Sequence, residues 1–329
     1  MTNFLANLHS FVIYSYFGTL VILFLTYLFI RIFRVTSPKL KARAYFIALI
    51  TPGLTFLVAH LFSKACSYGS LPWDIGSLAV FYGELCRIGG KATDFLVPFF
   101  MLAIFVGVTK ALISILVCRR LIAKYGYADE TEYPHLFTIL KRAAQNTGIT
   151  VPKIILTADD YARAFTFGIK QPIIVLSTEV LLKFSNDEIE QILSHECAHI
   201  KRLDVFTNWL GVMIRDISFF NPFAHIVFTR FVAAKEEASD DLALKTGLNP
   251  LEYGTTLIKM WRMSKENTFL NLAFENISPS PGFLKKAATF EMRVQRMLNW
   301  QKEIKEPKYF WAILAIVAVF TSMFLISIC

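Results

Sequence analysis

His195 and His199 stand one helical turn apart, with Glu196 directly after the first, in the run Ser194-His195-Glu196-Cys197-Ala198-His199. On an α-helix that spacing puts both imidazoles on one face, within reach of a single metal ion, and leaves Glu196 flanking them. Two neutral histidine nitrogens suit Zn2+, and a catalytic site needs one more protein ligand while leaving a position for water. Glu196 is then the group that takes the proton of a water attacking a metal-polarised amide carbonyl and passes it to the leaving amine. The neighbouring residues supply the helix. Ser185 and Glu188 have capping-box spacing, and Ile189, Ile192 and Leu193 carry apolar helical spacing into the motif, which predicts a helix starting near Asn186. Cys197 lies inside the motif but points round the helix from the histidines, and reads as a small buried residue.

A third ligand has to come from another element. The acidic run Lys235-Glu236-Glu237-Ala238-Ser239-Asp240-Asp241 is suitable. Glu236 and Asp240 are one turn apart on a helix, so Glu236 can bind the metal while Asp240 accepts a hydrogen bond from the far nitrogen of a ligating histidine.

With these residues assembled, the chain resembles a family. His195-Glu-Cys-Ala-His199-Ile-Lys-Arg-Leu-Asp204, Phe220-Asn221-Pro222-Phe223 and Glu236-x-x-Ser239-Asp240 are similar to the integral-membrane gluzincin peptidases, above all the β-lactam sensor-transducer group. More distantly they resemble the heat-shock and prenyl-protein-processing membrane zinc proteases. The resemblance implies Glu236 rather than Glu237 as the ligand, because Asp240 and Ser239 then match the family's later positions. It also implies that Asp204 supports the structure beside the site. A small sheet before the metal helix would, as in other gluzincins, offer an edge strand to an extended peptide. Self-cleavage between the site and the last span accompanies activation in the sensor-transducer group, and the Pro/Ser-rich 276–282 segment is the analogous place. The β-lactam sensors continue past the last span into a penicillin-binding domain, whereas this chain ends at Cys329, so antibiotic sensing by this polypeptide is not expected.

The elements that must carry the site point to a membrane. Hydrophobic residues make up 55% of the chain, and charged ones only 18%, outside ordinary soluble usage. Four stretches, 11–33, 44–62, 95–118 and 309–329, approach the roughly 20 apolar residues that a crossing needs. Arg31, Arg34, Lys39, Lys41 and Arg43 follow the first span, so the first link is expected on the cytoplasmic side. That places both termini and the 63–94 loop outside, and 119–308 inside, consistent with Arg119, Arg120, Lys124, Lys302, Lys305 and Lys308 at its ends. The net charge of +9 is assigned to anionic lipid headgroups, and no nucleic-acid module is visible. Cys66 and Cys86 share the outer loop and can pair if the compartment is oxidising.

Within 119–308, a helix over 133–146 ends at Thr147-Gly148, and strands are predicted at 153–157, 164–167 and 172–176, with a turn at Gly168. The apolar 205–234 stretch reads as two helices broken at Asn221-Pro222 and lying against the inner leaflet, a transmembrane hairpin being the competing reading. His225 and Arg230 there are candidate oxyanion stabilisers or interfacial anchors. A further helix starts at Asn249-Pro250, and 290–300 reads as an amphipathic helix.

The expected fold is therefore a mainly α membrane protein: four transmembrane helices plus a cytoplasmic α+β gluzincin-type domain with a small β-sheet. The expected function is a zinc endopeptidase of the bacterial cytoplasmic membrane. It would hold one Zn2+ per chain on His195, His199 and Glu236, with Glu196 as base and Asp240 and Asp204 in support. Its partners would be a cytoplasmic repressor-like or membrane polypeptide substrate and the lipid bilayer. A separate sensor protein and a homo-oligomer stay open. The rival is a non-catalytic signal transducer or scaffold with a structural metal, which would have no need of Glu196.

Overall fold

The structure is a computed structural model and describes residues 2–62, 76–159, 162–263, 287–300 and 310–328. Its elements in chain order are α1 (Thr2–Ile32), α2 (Pro38–Phe62), α3 (Gly76–Tyr125), α4 (Pro134–Thr147), β1 (Lys153–Thr157), β2 (Ala164–Phe167), β3 (Ile173–Ser177), α5 (Thr178–Lys183), α6 (Asn186–Lys201), α7 (Asp204–Ile217), α8 (Pro222–Leu244), α9 (Pro250–Met263), α10 (Ala287–Leu298) and α11 (Phe310–Ile328). They divide into two compact units. Met1–Gly107, Met213–Phe231 and Lys305–Cys329 make the first, and Val108–Val212 and Val232–Ile304 the second.

In the first unit α1 packs on α2, and α11 packs on both. Phe29, Val35, Leu40, Ala44, Phe310 and Leu314 form the contact, with the rings of Phe29 and Phe310 5.6 Å apart. Among the described residues, three helices contain stretches long and apolar enough to cross a membrane: Ser15–Ile32, Pro38–Leu57 and Pro98–Tyr125. Phe310–Met323 is a shorter apolar helix. Hydroxyls in these helices fold back on their own backbone, where no water is needed to satisfy them: Thr19 Oγ1 donates to the Ser15 carbonyl at 2.5 Å, and Thr51 Oγ1 to that of Ile47 at 2.7 Å.

The third span differs from its expectation. Residues 76–94, expected in the outer loop, continue the helix, so that α3 runs for 50 residues. No proline interrupts the backbone ladder before Pro98, and a single proline is tolerated in an apolar helix. Cys66 and the 276–282 segment lie outside the described residues, as does the side chain of Cys86.

Asn221-Pro222 separates α7 from α8 as its residue types predict. Pro222 occupies the first helical position, and Asn221 Oδ1 accepts from the backbone N–H of Phe223 at 3.0 Å. Asn221 Nδ2 donates to the Ser15 carbonyl at 2.8 Å and to Thr19 Oγ1 at 3.1 Å, which fixes the break against α1. With no breaker between Pro222 and Leu244, the acidic cluster rides on the same helix as the apolar residues before it, rather than on one of its own.

The second unit is built round the sheet, in the order β1-β3-β2. β1 runs parallel to β3 and β2 antiparallel, with Ile155 opposite Val175 and Thr166 opposite Ile174. Gly168 turns the chain between β2 and β3 at φ +87°, where a Cβ would collide with the Gln171 carbonyl. The alternation of strand side chains gives each face a separate job. Ile154, Ala164, Ile174 and Leu176 pack on Leu140 and Ala143 of α4 and on Ile192 and Leu193 of α6. Ile155, Phe165, Phe167, Ile173 and Val175 pack instead on Val117, Leu121, Ile122 and Tyr125 at the end of α3.

Candidate metal centre

α6 starts as its sequence dictates. The Glu188 backbone N–H donates to Ser185 Oγ, the Ser185 N–H donates to Glu188 Oε2, and Lys259 Nζ pairs with the same carboxylate at 2.6 Å. Its buried face then carries His195, Glu196 and His199, all nearly inaccessible to solvent. Cys197 turns the other way into the apolar core, where burial pushes its thiol up to about 12.

The two imidazoles meet edge to face, with Nε2 of His195 3.0 Å from Nε2 of His199. Glu236, from α8, completes a group of three. Its Oε2 lies 3.8 Å from His195 Nε2 and its Oε1 3.8 Å from His199 Nε2, and one ligand atom of each residue lies within 4.8 Å of the others.

Each imidazole is oriented through its other nitrogen. His199 Nδ1 lies 2.9 Å from Asp204 Oδ2 and 3.1 Å from Ser239 Oγ, while Ser239 Oγ donates to Asp204 Oδ2 at 3.1 Å and Arg202 Nε donates to it at 3.1 Å. His195 Nδ1 lies 3.1 Å from Asp240 Oδ1 and 2.9 Å from Tyr253 Oη, which donates to that same carboxylate oxygen at 2.8 Å. Arg293, from α10, holds Asp240 through two bonds of 2.7 Å and reaches Glu236 Oε2 at 3.3 Å. Since a carboxylate only accepts, these contacts put the ring proton on Nδ1 and leave a lone pair on each Nε2, facing Glu236.

The electrostatics follow from burial and pairing. Burial pushes the Asp240 carboxyl up, but Arg293 and the bond to His195 outweigh it and hold the group well below the usual range. Asp204 is likewise raised by burial and brought lower by Arg202 and His199. Burial lowers His199, yet the Glu236 and Asp204 carboxylates win and its pKa rises, as expected of a place that attracts a cation. The fully buried ammonium of Lys235 donates to the Asp204 carbonyl at 3.3 Å and to Asn208 Oδ1 at 3.4 Å, and burial brings it down to about 8.

These residues fit a divalent metal. Glu236 Oε1 is buried and has no hydrogen-bond partner among the described residues, a costly state that a cation would relieve. Two imidazole lone pairs 3.0 Å apart repel unless a positive charge lies between them. Two histidines and one carboxylate are also the donor set of a catalytic zinc site with a remaining open position.

The other expected residues are placed as follows. Glu196 is 3% exposed, and its Oε2 accepts from Thr166 Oγ1 on β2 at 2.7 Å. Glu237 is not one of the three clustered ligand groups, and its backbone carbonyl accepts from Arg296 Nη1 at 3.2 Å. His225 and Arg230 belong to the other unit. Both are exposed there, and His225 Nε2 lies 3.3 Å from the Phe219 carbonyl.

Sequence reasoning missed Thr166, Tyr253 and Arg293. Arg293 had a signal: it sits three residues after Phe290 and four before Met297, so it shares the apolar face of its helix. An arginine on such a face calls for a buried carboxylate.

Comparison with known proteins bears on the same segment. The family model described as BlaR1 peptidase M56 matches residues 89–277, more than half of the chain and the whole of the cluster from His195 to Tyr253. The chain is 30% identical over 97 residues to a "Protease HtpX homolog" of Thermodesulfovibrio yellowstonii, covering 28% of this chain and 34% of that protein. It is 28% identical over 152 residues to the "Regulatory protein BlaR1" of Bacillus licheniformis, covering 45% and 24%. With "Protease HtpX homolog 1" of Sulfolobus acidocaldarius it shares 30% over 144 residues, covering 42% and 46%. The chain thus spans less than half the length of each of these relatives.

Proposed function

The chain belongs to the BlaR1 peptidase M56 family, and from that premise we propose that it is an integral-membrane zinc endopeptidase. His195, His199 and Glu236 would hold the metal, and Glu196 would act as general base, the HExxH and ExxxD pattern of a gluzincin. The observation that carries the reading is the convergence of three buried ligand groups within 4.8 Å, two of them on the helix that also buries a second carboxylate, Glu196, that the metal would not need for binding.

A bound Zn2+ supplies Lewis acidity toward a peptide carbonyl and toward water. The remaining chemistry belongs to the chain. Glu196 accepts the proton of the attacking water and returns it to the leaving amine, a role its position one residue after His195 allows. Asp204 and Asp240 keep the proton on Nδ1 of each imidazole, so that both Nε2 atoms stay available. β2 is an edge of the sheet and the strand that touches Glu196, so it is the natural template for an extended polypeptide added as a further strand.

The sidedness belongs to the same proposal. The basic residues after the first apolar helix and at both ends of 119–308 place the catalytic segment on the cytoplasmic side, with both termini opposite. The substrate would be a regulatory or membrane-associated polypeptide.

The test is elemental analysis of detergent-purified protein together with cleavage of casein, for wild type and Glu196→Gln. The expected result is about one zinc per chain in both and cleavage in the wild type alone. Zinc in both with no difference in cleavage would favour a structural metal in a non-catalytic transducer. Folded wild-type protein that takes up no zinc overturns the reading.

A further inference from the structure

The base is held by a residue that lies far from the metal motif in the chain. Thr166 is 1% exposed, faces α6 from the middle of β2, and donates its hydroxyl to Glu196 Oε2 at 2.7 Å. Its neighbours on that strand, Phe165 and Phe167, are packed on α3 through the opposite face, so the strand cannot rotate Thr166 away without unpacking them. β3 fixes the register from the other side, with Thr166 opposite Ile174.

We propose that Thr166 is the positioning residue of the general base. Its hydroxyl occupies one carboxylate oxygen of Glu196 and fixes the plane of the group, which leaves Oε1 as the proton acceptor. A carboxylate on a side chain with three rotatable bonds otherwise samples several orientations, and misplacement by about 1 Å costs on the order of 100-fold in rate. Thr166 also sits on the strand that would receive substrate, so a peptide added along β2 meets the base in a fixed relation to the strand's backbone. Thr166 itself exchanges no proton with the substrate. Its hydroxyl hydrogen stays on Oγ1 throughout, and its effect runs through Glu196.

This role rests on the peptidase reading, and the experiment separates the two. Full-length protein in detergent is loaded with zinc, and kcat and KM for a casein-derived peptide are measured for wild type, Glu196→Gln, Thr166→Val and Thr166→Ser. Thr166→Val is expected to lower kcat about 10- to 100-fold with KM and zinc content unchanged, and Thr166→Ser, which restores the donor, to recover most of the loss. A second readout needs no metal. Melting of the metal-free protein for Thr166→Val, Glu196→Gln and the double variant should be non-additive, as for any pair in direct contact. An unchanged kcat in Thr166→Val, a serine variant no better than the valine, or a loss confined to KM or to zinc content overturns the role of Thr166. A wild type no more active than Glu196→Gln overturns the peptidase reading and this role with it.

Discussion

The two histidines are held by different kinds of structure. His199 takes its carboxylate from Asp204, five residues on, across the turn between α6 and α7. His195 takes its carboxylate from Asp240 on α8, which is clamped in turn by Tyr253 from α9 and Arg293 from α10. The first arrangement is local and strained: Leu203, the residue that turns the chain, has φ +54° with a side chain that gains little from burial. The second closes long loops and buries an ion pair, so it depends on the packing of three helices. The difference teaches where the site is vulnerable. Damage to α9 or α10 should loosen the His195 side and spare the His199 side, which leans on the turn after α6 and on Ser239 and Lys235 of α8.

The largest effect expected from breaking this asymmetry is at Arg293. Arg293→Met leaves Asp240 buried without its cation and should cost about 3–5 kcal/mol, with loss of zinc on purification. Arg202→Met, the matching change on the His199 side, should cost less than Arg293→Met, because the Ser239 hydroxyl still donates to the Asp204 carboxylate and the Lys235 ammonium still donates to its backbone carbonyl. Thermal melting and zinc content of the two variants decide the matter, and equal losses would remove the asymmetry.

A smaller effect is expected when the carboxylates themselves are changed. Asp204→Asn and Asp240→Asn should each weaken zinc binding by about 10- to 100-fold in a competition titration with a chelator. Asp240→Asn should be the worse, since it also strands Arg293.

Glu188 tests what both histidines share. Glu188→Ala removes the capping box and the Lys259 pair, for an expected loss of about 1 kcal/mol. Burial raises this carboxyl, but Lys259 and the Ser185 N–H outweigh it and leave it below its ordinary 4.5. A carboxyl lowered on folding stabilises above its unfolded value, and the benefit disappears as the pH falls through the folded value. The melting difference between wild type and Glu188→Ala should therefore be constant near neutrality and shrink below about pH 4.

The smallest change sharpens the local half alone. Leu203→Gly relieves a left-handed residue worth roughly 1–2 kcal/mol but adds backbone freedom to the unfolded chain, so melting should rise by the equivalent of no more than about 1 kcal/mol. A large loss would show that the exposed Leu203 side chain holds the turn.

What could be read from the residues alone follows the same division. The spacing of His195, Glu196 and His199, the capping box at Ser185, the break at Asn221-Pro222 and the three strands are set within single elements or tight turns. There, helical periodicity, proline geometry and alternation fix what neighbours can do. The acidic run that holds Glu236 and Asp240 could be picked out because the two share one turn of one helix, but only the family resemblance prefers Glu236 to Glu237 as the ligand. The bonds from Thr166 to Glu196, Tyr253 to His195 and Arg293 to Asp240 span 30, 58 and 53 residues. No periodicity reaches that far. Which hydroxyl, phenol or guanidinium arrives at a buried carboxylate depends on how the sheet and the helices pack, because only the completed interior excludes the water that would otherwise satisfy each of those groups.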